Sequence, residues 1–202
     1  NMSPEKLNNN LHFPHGVDYY LKESDYGKVD GISVAANGVC FNNDTGQGIF
    51  PKIVVDYYAE RKIVKAAMIK AQQAYEKTPT AALDREVGML KNKQMAIKLL
   101  LNSLYGAIGN RYFRYFDLRI AEAITLNGQL AIQWAEKSIN KELNKLMATN
   151  NTDYVIAIDT DSLYVNFEKL VDKFGPDDPV KFLDKICNEH FVPMFEKSYS
   201  GM

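Results

Sequence analysis

From Pro51 to Gly109 the sequence holds two long runs of helix-forming residues separated only by a short break, KTPT. In the first run, KIVVDYYAERKIVKAAMIKAQQAYEK, the apolar residues Val54, Tyr58, Ile63, Ala66, Ala67 and Ala74 recur at helical steps. In the second, from about Pro79 to about Tyr105, Leu83, Val87, Leu90, Ile97, Leu101 and Leu104 do the same, and Gly106 and Gly109 are placed to end it. Thr78 is the expected cap of the second helix, with Pro79 in its first turn. So short a connection forces the helices to lie antiparallel, each roughly 35 to 40 Å long at 1.5 Å per residue.

The rest of the chain is organised around this hairpin. Residues 1–50 are rich in Asn, Gly, Asp and Tyr and read as an irregular layer, with ANGVCFNNDTGQGIF as strand, turn and strand. After the aromatic stretch RYFRYFD, Asp117 is a suitable cap for a third helix through LRIAEAITLNGQLAIQWAEKSINKELNKLM. Its stripe of Ile124, Leu130, Trp134, Ile139, Leu143 and Leu146 is core. A turn, ATNNTD, leads to YVIAIDTDSLYVNF, an apolar stretch that reads as buried strand, with two β-prone runs around Asp159, Thr160, Asp161 and Ser162, which predicts a hairpin. The remainder reads as a loop and one amphipathic helix broken at Pro193. The expected class is α+β.

Charge is segregated along the chain. The whole carries a formal charge of -1, so no partner is announced by the total. Between Pro51 and Tyr115, however, twelve Lys and Arg residues stand against five carboxylates. Arg61 and Lys65 are four apart and share a face of the first helix, and Lys98, Asn102 and Tyr105 share a face of the second. Two antiparallel helices that aim cations the same way form a sleeve for a polyanion, because Lys and Arg neutralise phosphate oxygens and Asn bonds them. The plainer alternative is a solvated face built from good helix formers.

Asp159 and Asp161, one residue apart on a strand, are expected on one side of it, and like charges that close repel unless a cation neutralises them. A hard divalent ion such as Mg²⁺ suits carboxylate oxygen. A lone Asp-x-Asp is also an ordinary solvated turn, so the pair by itself leaves both uses open. His12 and His15, and Cys187 and His190, are spaced like zinc ligands but lack a second pair, and Cys40 and Cys187 form no disulfide framework. The given residues hold no membrane span, phosphate-binding glycine loop or dinucleotide fingerprint, and no signal peptide is expected, because NMSPEKLNNN lacks the basic-then-apolar order of one. A soluble, cytoplasmic protein is expected.

Two motifs in order carry a family resemblance. KLLLNSLYGAIGN, Lys98 to Asn110, resembles the K-x-x-x-N-S-x-Y-G signature of family B (polymerase α-like) DNA polymerases, and DTDS, Asp159 to Ser162, resembles that family's later motif. The replicative polymerases of T-even-type bacteriophages are the finer match, through NSLYGAIGNRYFRYFDLRIAEAITLNGQLAIQW and ERKIVK. The resemblance implies that residues 51–109 are the fingers, and that 1–50 (with its hairpin) and 110–202 (with the DTDS hairpin) are parts of the palm. It also implies that Asp161 ligates the catalytic metals with Asp159 in support. Arg61, Lys65 and Lys98 then grip the triphosphate across a gap from these acids, Asn102 helps hold it, and Tyr105 lines the nascent base pair.

Template-directed nucleotidyl transfer from a dNTP to a DNA primer, with two Mg²⁺ ions, is the implied reaction, in the host cytoplasm if the protein is phage-encoded. The chain departs from the family in having Ala157 and Ile158 where Tyr-Gly is usual, and it lacks the first catalytic motif, an Asp followed by S-L-Y-P, as well as exonuclease motifs. The chain is therefore expected to be a piece of a longer protein, inactive alone and dependent on the missing segments or a second chain. A non-catalytic nucleotide- or nucleic-acid-binding module, or one half of a split polymerase, is the rival expectation. A nucleotidyl cyclase is disfavoured by Lys98, Asn102 and Tyr105 lying on one helix.

Overall fold

The computed structural model describes residues 1–22, 29–44 and 46–199. The class is α+β, with long helices and two small antiparallel sheets. By contacts it divides into two compact units, Asn1–Pro14 with the described part of Gly27–Ile124, and the described parts of His15–Tyr26 with Thr125–Met202.

In the first unit, strand β1 (Leu7–His12) is followed, beyond helix α1 (Val17–Lys22) of the other unit, by β2 (Ile32–Val34) and β3 (Val39–Asn42). The sheet order is β1-β3-β2, all antiparallel. The turn of the β2–β3 hairpin is Ala35–Gly38, closed by the Gly38 N–H donating to the Ala35 carbonyl at 2.7 Å. Gly38 sits at φ +77, and a Cβ there would lie 2.1 Å from the Phe13 carbonyl oxygen, so only glycine fits. The hairpin expected over residues 36–50 is thus displaced: β3 is its second strand, and the chain after it enters a helix.

That helix, α2 (Ile49–Lys77), and α3 (Ala81–Ile108) are the long antiparallel pair. Thr80, not Thr78, caps α3, its hydroxyl accepting from the Leu83 N–H at 3.2 Å. Pro79 therefore stands just outside the helix rather than within its first turn. Gly106 is absorbed, because packing of Ile108 at 2 % exposure repays the local cost, and α3 ends at Gly109. The core below the pair gathers Ala35, Phe41, Phe50, Ile108, Ile120, Ala121 and Ala123.

The start of α2 lacks a capping side chain of its own and borrows three from the beginning of the chain. The N–H groups of Gly48, Ile49 and Phe50 donate to Asn1 Oδ1 at 2.5 Å, Glu5 Oε1 at 2.6 Å and Ser3 Oγ at 3.4 Å. Partial burial pushes the Glu5 carboxyl up, but the Ser3 hydroxyl, the Ile49 N–H and Lys6 outweigh it and hold the group below its ordinary value of 4.5. A depressed carboxylate adds stability above the unfolded value, and that stability is lost as pH falls through the folded one. Glu5→Gln is expected to cost about 1 kcal/mol at pH 7, as loss of a charged helix cap does. Melts at pH 7 and pH 3 check this: the gap between the two proteins should close at the lower pH.

In the second unit, α4 (Leu118–Met147), whose first turns belong to the first unit, supplies Ile139 and Leu143 to a core with Tyr154 and Phe191. Asp117 caps it as expected, Oδ1 accepting from the Arg119 N–H at 3.0 Å. Strands β4 (Val155–Asp159) and β5 (Ser162–Val165) form the expected hairpin. A short helix that the sequence pattern did not announce, α5 (Glu168–Phe174), ends at Gly175 in the left-handed region at φ 52. The last amphipathic stretch is α6 (Pro179–Ile186) and α7 (Val192–Tyr199). They are separated not at Pro193 but by a π-helical turn, Cys187–Phe191, because Pro193 falls in the first turn of α7, where its missing N–H costs nothing. Among the described residues no helix is long and apolar enough to cross a membrane.

Candidate nucleotide and metal site

The two cation-bearing helix faces adjoin. Arg61 on α2 reaches across to α3, its Nη2 donating to Gln94 Oε1 at 3.5 Å, and beside it Lys93 Nζ meets Glu60 Oε1 at 2.8 Å. Gln94 is one turn from Lys98, and Asn102 and Tyr105 continue the same face. With Arg61 level with Gln94, Lys98 lies about 6 Å further along the hairpin in one direction and Lys65 about 6 Å in the other, at 1.5 Å rise per residue. Lys65, Arg61, Lys98, Asn102 and Tyr105 therefore descend one seam.

Arg61 is the half-buried member. Its Nε is shielded from solvent and has no hydrogen-bond partner, the only such buried side-chain atom among the described residues. An unmet buried donor costs about 1–3 kcal/mol, so Arg61 is held here at an energetic cost. Lys65, Lys98 and Asn102 are exposed. Among the described residues neither lysine forms an ion pair, whereas Lys52 and Lys93 are spent on Asp56 and Glu60.

The two aspartates belong to the other unit. Their strand is not the buried one that its composition suggests: Val155 is half-buried, and Ile156 to Asp159 are exposed. The hairpin has only two strands, so Leu163 and Val165 pack on the core with Val155, and Ile156 and Tyr164 are left 71 % and 56 % exposed. Nor does strand alternation relate the carboxylates, because Asp159 ends β4 and Asp161 lies in the turn.

That turn is tight. The Asp161 N–H donates to the Asp159 carbonyl two residues back at 2.6 Å, and Thr160 between them sits at φ 51. A β-branched residue at positive φ stores on the order of 1–3 kcal/mol. The Thr160 hydroxyl donates to Asp159 Oδ1 at 3.1 Å, and the Ser162 hydroxyl donates to the Asp159 carbonyl at 3.0 Å. The turn thus fixes the backbone of both aspartates, and both residues are exposed.

Among the described residues no cluster of three or more His, Cys, Asp or Glu side chains could hold a metal ion. His190 instead pairs with Glu142 at 3.0 Å. Cys40 and Cys187 are free, and burial pushes both thiols up, which suits inert packing residues. Spacing groups Arg61 with Lys65, and Lys98 with Asn102 and Tyr105, but it does not show Gln94 opposite Arg61, which depends on which residue of α2 faces α3 there.

One unit thus carries the cationic helical hairpin, and the other carries the hairpin turn bearing Asp-Thr-Asp-Ser. A sequence model of DNA polymerase family B matches residues 1–188, and the chain belongs to that family. It is 42% identical over 122 residues to the DNA-directed DNA polymerase of Enterobacteria phage T4, a match over 57% of this chain and 14% of that protein. It is 30% identical, over an alignment of 249 positions, to the DNA-directed DNA polymerase of Escherichia phage RB69, covering 100% of this chain and 27% of the relative. The catalytic subunit of DNA polymerase delta from Oryza sativa subsp. japonica is 29% identical over 124 residues, 61% of this chain and 10% of that one. The family B polymerase is of the T-even phage type, and the chain spans about a seventh to a quarter of its phage relatives.

Proposed function

We propose that this chain is the nucleotide-gripping and metal-binding segment of a replicative DNA polymerase, which extends a DNA primer on its template from dNTPs. In this reading α2 and α3 are the fingers, and the flanking segments are parts of the palm. The observation that carries it is the seam on which the Arg61 and Lys98 faces adjoin, with an unpaired donor on Arg61. Arg61, Lys65 and Lys98 bind the triphosphate, where Arg offers a two-pronged fork and the lysines compact charge. Asn102 adds a hydrogen bond, and Tyr105 lines the base pair being formed.

Asp161, with Asp159 beside it, would hold Mg²⁺. Exposed carboxylates on a rigid turn fit that ion, which binds through one or two carboxylates plus phosphates and keeps several waters. When bound, Mg²⁺ supplies neutralisation of the charge that develops on the reacting oxygens. The protein's part is then positioning: the seam fixes the phosphates, and the DTDS turn fixes the acids.

A second reading follows from the missing first catalytic motif, an Asp followed by S-L-Y-P that the sequence does not contain. By itself the chain would bind a nucleotide or nucleic acid without polymerising, or act as one half of a split enzyme completed by further polymerase segments or a second chain. Titration of dATP with Mg²⁺ tests the clamp. Arg61→Ala and Lys98→Ala should each weaken binding about tenfold, equivalent to about 1.4 kcal/mol; indifference to both would make the seam a solvated face.

A further inference from the structure

We propose that Gln94 is a positioning residue for the triphosphate: its side-chain oxygen, 3.5 Å from Arg61 Nη2, steers the guanidinium into the seam without satisfying it, so that phosphate oxygens can complete it. This rests on the clamp described above and assigns a role to a residue outside it.

Gln94 stands on α3 one turn from Lys98, opposite Arg61 on α2, and both side chains are half-buried. A bond of 3.5 Å is at the long limit for N–H···O. It restrains the arginine weakly, while Nε stays buried and unpaired. The neighbouring contact shows the contrast: Glu60 and Lys93 close to 2.8 Å, an ion pair between the same two helices in which the charge is neutralised. A neutral amide opposite Arg61 gives direction without neutralisation. A carboxylate there would consume the donors an incoming phosphate needs.

The chemistry sets stability against affinity. Gln94→Glu adds an ion pair between α2 and α3, so the melting temperature should hold or rise. Binding of Mg²⁺–dATP and of inorganic tripolyphosphate should nevertheless weaken by more than about tenfold, as the new carboxylate competes for Arg61 and repels the ligand. Gln94→Ala leaves the arginine free to wander and should weaken both by about three- to fivefold, a loss of the size one neutral hydrogen bond gives. A residue that merely supports the fold would make affinity follow stability, and the two substitutions would then rank the other way.

The test is calorimetric titration of the 202-residue chain and its variants with these two ligands, alongside thermal melts. In an Arg61→Ala background, Gln94→Ala should have no further effect, because its target is gone. Gln94→Glu binding as tightly as the unaltered chain overturns the proposal, and so does a Gln94→Ala loss that persists without Arg61. Binding that needs Arg61 but ignores Gln94 overturns this inference alone. Failure of the unaltered chain to bind either ligand overturns the clamp, and the inference with it.

Discussion

Asp161→Asn is expected to reduce primer extension on the order of a hundredfold or more in a chimera whose matching segment of the Escherichia phage RB69 polymerase is replaced by these 202 residues. Asn keeps the shape and hydrogen-bonding length of the side chain but removes the charge that neutralises a divalent ion. The tight turn should survive, because it is closed by backbone and by Thr160 and Ser162. Asp159→Asn should cost less, in keeping with a supporting role. Single-turnover extension rates with saturating dNTP separate chemistry from binding. Chimeric enzyme that tolerates Asp161→Asn within a few-fold would remove that residue from the metal site. The 202-residue chain alone is expected to yield no extension, since the Asp followed by S-L-Y-P that would supply the other metal carboxylate is not among its residues.

Leu143→Ala should destabilise the second unit by about 2–5 kcal/mol, the range for emptying a well-packed aliphatic site. Leu143 is 1 % exposed and lies in one core with Ile139, Tyr154 and Phe191, on which Leu163 and Val165 of the DTDS hairpin rest. Urea unfolding followed by the fluorescence of Trp134 in the same unit reads this directly, and a loss under about 1 kcal/mol would mean that the core can collapse into the gap. Because the hairpin packs on that core by one face only, the same substitution should loosen the turn that holds Asp161 before global unfolding sets in.

Periodicity made the long helices legible, but in α2 it did not mark the buried side: Val64 and Ala71 are buried, whereas Val54, Tyr58 and Ile63 of the repeat read from the sequence are exposed. Boundaries were harder where two residues of one chemistry stand close together. Thr78 and Thr80 both suit a cap, and only the bond from Leu83 selects the second. The β4 strand misled for another reason: apolar composition signals burial only when something covers the strand, and here Ile156–Asp159 meet solvent on both faces. Within the candidate site, spacing places the cations on their faces, but the meeting of Arg61 with Gln94 depends on the register of one helix against another. No local pattern encodes that register.

The α2–α3 pair behaves as a cantilever. Its root is clamped, with Phe50 and Ile108 sunk in the core and three borrowed caps locking the first turn of α2. Outward from there, Val64, Ala71 and Ile97 are its only buried side chains. Deflection should therefore concentrate near the clamp, and the free end should move as a stiff beam, carrying its row of positive charge without rearranging it.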